Sequence, residues 1–98
     1  MANPLSPTVA LVDLTGIDPM NGTLTLLAAN SARRHAIIRN DTDQDIPYAE
    51  GWTPSANLYT DVIPAGGRLV LTWPDTVSAI NGYFASAPTG KIFTTERI

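Results

Sequence analysis

NSARRHAIIRN, residues 30–40, sets a turn, a paired basic dipeptide and a short apolar strand in succession between two further strand candidates. Over residues 34–40, Ala36 and Ile38 fall on one side of an extended chain, and His35, Ile37 and Arg39 fall on the other. Apolar side chains at the centre point both ways, which predicts a strand covered on both sides and therefore central in its sheet.

Moving toward the N-terminus, TLTLLA (residues 23–28) has the clearest period of two, with Leu24, Leu26 and Ala28 opposite Thr23, Thr25 and Leu27. TVALVD (8–13) is a further strand candidate, bounded by Pro7 and the Thr15-Gly16 turn signal. Toward the C-terminus, DTDQD (41–45) turns the chain into a short strand at 46–48. Pro47 lacks an N–H, so it is expected at an edge or bulge. GWTPSAN (51–57) is a loop. Strands then follow at 58–63, 68–73, 76–84 and 91–97, with PAGG (64–67) as the turn of a hairpin between the first two.

No run carries an apolar stripe at helical spacing, so the expected fold is all-β, a small antiparallel β-sandwich or jelly-roll-like barrel. Leu24, Leu26, Ile38, Val62, Leu69, Leu71, Ile80 and Phe93 are the predicted core, and Trp73 is predicted inside because it alternates with Leu69 and Leu71. At 98 residues the chain holds one domain, residues 8–98, preceded by an arm of residues 1–7. There is no cysteine to staple a small core, so stability must come from packing or from partner subunits.

A formal charge of −3 with only six basic residues does not give the positive surface that phosphate neutralisation requires, so no nucleic-acid partner is expected. No apolar run approaches the roughly 20 residues of a membrane span, and the N-terminus lacks the pattern of an export signal. The sequons Asn21-Gly22-Thr23 and Asn40-Asp41-Thr42 therefore read as turns.

Asp41, Asp43 and Asp45 have the spacing that opens a calcium loop, but Ile46 and Trp52 stand where that loop needs glycine and glutamate, and a solvated acidic turn is expected instead. His35 is the single histidine, with no cysteine to join it as a zinc ligand and no G-x-S-x-G elbow to give it a nucleophile. Neither an enzyme, a metal nor a cofactor is expected.

Arg33 and Arg34 point to opposite faces of an extended chain. A pairing within the domain is the first expectation for this dipeptide and a contact to a neighbouring subunit the second. Trp52, in a loop between Gly51 and Pro54, offers a large rigid ring for an interface or, with Tyr48, Tyr59 and Tyr83, a platform for a glycan. Arg33, Arg34 and Trp52 are thus candidate interface residues. The arm adds Met1, Ala2, Asn3 and Pro4, then Leu5, Ser6 and Pro7. Its two prolines reduce the entropy lost on docking, and it is expected to be ordered through contact with another chain.

AANSARR (28–34) resembles the AANPARR of a family of small phage and prophage structural proteins, with Ser31 where proline is usual. IIRN (37–40) resembles that family's apolar strand ending in QN, with Arg39 where glutamine is common. IPAGG (63–67) resembles its PGG turn, and APTGKIFTTE (87–96) its glycine-led closing strand. The similarity spans residues 11–98. It implies a virion structural protein, most specifically a head decoration or cement protein binding the lattice of the major capsid protein. A neck, tail or fibre-attachment component is the alternative. It further implies manufacture in the host cytoplasm, residence on the virion, contacts with other virion proteins and a homo-oligomer.

Overall fold

Eight strands and no helix make up the described part of the computed structural model, which covers residues 8–12, 22–72, 77–86 and 88–97. The strands are β1 (Thr8–Leu11), β2 (Gly22–Leu27), β3 (His35–Thr42), β4 (Ile46–Glu50), β5 (Asp61–Ile63), β6 (Arg68–Thr72), β7 (Ile80–Phe84) and β8 (Gly90–Arg97). They form two four-stranded antiparallel sheets, β1-β8-β3-β6 and β2-β7-β4-β5. First pairs with last, second with seventh, third with sixth and fourth with fifth, so the chain is one long hairpin wrapped around a core. That is the strand order of a jelly roll.

Between the sheets the described residues form one apolar cluster: Leu26 and Leu27 of β2, Ala36 and Ile38 of β3, Ile46 and Tyr48 of β4, Ile63, Leu71, Ile80, Phe84 and Ile92. Val12, Leu24 and Leu69 pack against its margin. β3 is an interior strand, as expected, with Ile38 in register with Leu69 on one neighbour and Thr94 on the other, but it is covered on one face only, since Ile37 is half-buried and Arg39 exposed on the other.

Several expectations are corrected. In β2 the register shifts between Thr25 and Leu27, a β-bulge that turns both Leu26 and Leu27 into the core and leaves Ala28 exposed. Ile92 and Ile63 are buried where Phe93 and Val62 were expected, because pairing with β3 and β4 sets the parity of β8 and β5. Strand β5 begins only at Asp61, and residues 77–79 precede β7 without joining it. Pro47 sits in an interior strand, where the ladder from β4 to β7 starts one residue later at Tyr48.

Residues 64–67 form the predicted turn, with the Gly67 amide donating to the Pro64 carbonyl and Gly66 at φ 77°. The turn nevertheless makes no hairpin, since β5 and β6 belong to different sheets and the chain crosses the sandwich there. Trp73 and the arm Met1–Pro7 lie outside the described residues.

Candidate interaction surface

Strand alternation gives the β1-β8-β3-β6 sheet an outer face of mixed character. On β3 the outward residues are His35, Ile37, Arg39 and Asp41; on β8 they are Lys91, Phe93, Thr95 and Arg97; on β6 they are Arg68, Val70 and Thr72. Register places Arg39 between Arg68 and Phe93, with Leu11 of β1 beyond Phe93. Four of the chain's six basic residues therefore share one sheet face, in a protein whose net charge is −3.

Apolar side chains stand among these cations. Leu11 is 59% exposed and Val70 50%, and Ile37 and Phe93 are half-buried. The Arg39 guanidinium lies 4.7 Å from the centroid of the Phe93 ring, a cation–π arrangement, and pairs with Asp41 at 2.8 Å. Arg68, directly across from Arg39, makes no ion pair among the described residues. A hollow of about 410 Å³ opens between Ile37, Arg39, Arg68, Phe93 and Thr95.

A second exposed group lies on the connection from β4 to β5. Ser55 and Leu58 bridge to close a tight turn, and Leu58, Tyr59 and Trp52 are 65%, 42% and 41% exposed. Pro54 is fully buried, and the Asn81 amide donates to the Trp52 carbonyl at 2.9 Å, tethering the loop to β7. Glu50 and Asp61 flank the loop at its two ends. Asp61 lies opposite Tyr48 in register, and burial together with the carboxylates of Asp61 and Glu50 raises the Tyr48 phenol above its ordinary range.

The basic dipeptide divides as its geometry requires. Arg33 is wholly buried and does not belong to an interface: its guanidinium donates to the carbonyls of Ala28 and Ser78, both at 2.8 Å, and to Glu96 at 3.2 Å. This arginine bolts the segment before β3 to β8 and to the approach of β7. The expected pairing within the domain is what the guanidinium makes. Arg34 is exposed, and its amide donates to the Arg97 carbonyl at 2.7 Å.

Asn40, which ends the NSARRHAIIRN stretch, is a buried hub that composition did not single out. Its side-chain amide donates to the carbonyls of Gln44 and Ile63, and its oxygen accepts from the Thr42 amide and hydroxyl. Its backbone is bonded to Gly66 and Gly67, so one residue joins two turns.

The three aspartates after Asn40 diverge rather than converge. Asp41 pairs with Arg39, Asp43 accepts from the Thr89 amide, and Asp45 accepts from the Ala65 amide. The bond from Thr89 holds the Asp43 carboxyl below its ordinary value of 3.8. His35 stands at the end of the basic face, where its Nδ1 is buried and has no hydrogen-bond partner among the described residues.

Comparison with protein families, with curated proteins and with solved structures finds no match to this chain.

Proposed function

We propose that this protein is a bacteriophage virion structural protein, a capsid decoration or cement protein that adheres to the lattice of the major capsid protein. The observation that carries this reading is the outer face of the β1-β8-β3-β6 sheet, where Leu11, Val70, Ile37 and Phe93 stand exposed or half-exposed among arginines. Apolar area ringed by guanidinium groups is the chemistry of protein adhesion, since arginine and aromatic residues dominate binding energy at interfaces. The motif resemblance across residues 28–96 supports the virion setting. The wrapped strand order supports it by analogy, because viral capsid domains share this architecture.

Mass spectrometry of virions purified from the phage or prophage that encodes this chain tests the reading. The expected result is a fixed ratio to the major capsid protein, with antibody label on the heads under negative stain. Label confined to tails moves the assignment to the neck, tail or fibre attachment, and particles free of the chain overturn it.

A glycan-binding module is the second reading, and one observation favours it. A dimple of about 110 Å³ lined by Thr23, Leu24, Thr25, Thr53 and Asn81 lies next to exposed Trp52, and jelly rolls also serve as lectins. Saturable binding on a glycan array, lost in Trp52→Ala, would establish it.

A further inference from the structure

We propose that the basic outer face of the β1-β8-β3-β6 sheet receives the β4–β5 loop, residues 50–61, of a second copy of this chain in a head-to-tail contact. The inference rests on the reading of the protein as an assembling structural part, and it names the surfaces through which copies meet.

Both halves of the contact are present on one molecule. The face carries Arg39, Arg68, Lys91 and Arg97 around Ile37, Val70 and Phe93, with Asp41 as its one outward carboxylate among the described residues. The loop carries the inverse pattern, with exposed Trp52, Leu58 and Tyr59 between Glu50 and Asp61. Like charges directly opposite one another on a sheet repel, and Arg39 and Arg68 are so placed. Asp41 already compensates Arg39, so a carboxylate entering beside Arg68 supplies the second countercharge and forms a charge-assisted bond with that guanidinium. The hollow of about 410 Å³ beside them has room for the side chain of Leu58 or Tyr59.

Charge also selects the symmetry. Two basic faces pressed together by a two-fold axis would set cation against cation, and two loops so paired would set carboxylate against carboxylate. Only unlike surfaces are complementary. They lie on different sheets, so the contact is heterologous, and copies joined this way close into a ring or continue as a filament. Nucleic acid fits the face less well, because the Phe93 ring is already stacked by the Arg39 guanidinium, Leu11, Ile37 and Val70 are aliphatic, and the molecule as a whole is negative.

Sedimentation velocity over a range of protein concentrations, in low and in high salt, reads the contact. The wild-type chain is expected to self-associate, less strongly in high salt because the charges are screened. Arg39→Glu/Arg68→Glu and Glu50→Lys/Asp61→Lys should each weaken association at least about 100-fold, since each juxtaposes like charges. Unchanged melting temperatures would show both variants folded. Mixing the two should restore association, because each interface in the mixture again joins opposite charges.

A wild-type chain that stays monomeric throughout overturns the proposal. So does self-association that either variant leaves intact, or binding of a single-stranded DNA 20-mer to the face of a monomer. Incorporation into virions is scored separately. A monomer found on particles rejects this contact and keeps the virion reading, whereas a salt-sensitive oligomer absent from particles does the reverse.

Discussion

At the scale of the residue, Arg33 shows how much one buried guanidinium can hold. It joins the nearby carbonyl of Ala28 to two acceptors from distant parts of the chain, the carbonyl of Ser78 and the carboxylate of Glu96. Arg33→Ala removes the donors and leaves those acceptors facing a void, which should cost about 3–5 kcal/mol in urea unfolding. Arg33→Lys should recover little of this, because an ammonium cannot reproduce the fork that spans the three. That the dipeptide pairs within the domain follows from alternation. Which arginine goes inside does not, since the answer lies with acceptors remote in sequence. Asn40 is partly of the same kind: three of its four side-chain hydrogen bonds are local, to Thr42 and Gln44, and the fourth reaches Ile63, which becomes a neighbour only when the sandwich closes.

At the scale of the element, the strands are legible because apolar residues recur at period two between proline and glycine turns, and each of the eight overlaps a segment where that rhythm places a strand, although β5 and β7 are shorter than expected. Parity is the weaker signal. Ile92 and Phe93 are adjacent and both apolar, so alternation within β8 accepts either one as the inward residue. Pairing decides, because Ile38 faces the core and lies opposite Thr94, which makes Ile92 inward and Phe93 outward. Ile92→Ala should therefore cost about 2–4 kcal/mol in equilibrium unfolding. Phe93→Ala should cost roughly 1 kcal/mol, lost with its half-exposed ring and its contact with Arg39. Equal costs, or the reverse order, would refute the parity described for β8. The β2 bulge is hidden for a related reason, since LLA at residues 26–28 reads equally well with Leu27 on either face.

At the scale of the whole molecule, two ionisable groups give the fold different behaviour at the two ends of the pH range. The Asp43 carboxyl titrates below its ordinary 3.8, so its contribution to stability is present above that value and is lost as the solution is acidified past it. The Tyr48 phenol titrates above its ordinary 10.0, chiefly because it is buried and next because Asp61 and Glu50 are near. The folded chain then keeps a proton that the unfolded chain has released, and stability falls as pH rises beyond about 10. Tyr48→Phe should flatten this alkaline decline in urea melts compared between pH 8 and pH 11, while wild type shows the steeper loss. The concentration of cations on one face is a property of this same scale. Arg39, Arg68, Lys91 and Arg97 are scattered along the chain and become neighbours only through the registers of β3, β6 and β8, so no local stretch reveals them.

The wrapped hairpin has a mechanical consequence. Its outermost pair is β1 with β8, antiparallel, with Thr8 directly across from Glu96. A force that draws the two ends of this ladder apart does not load its hydrogen bonds side by side as a shear. It meets them one rung after another and peels the strands open like a zipper. An optical-trap handle at each end should release β1 at low tension, whereas tension along the length of β3, clamped between β8 and β6, should meet far greater resistance.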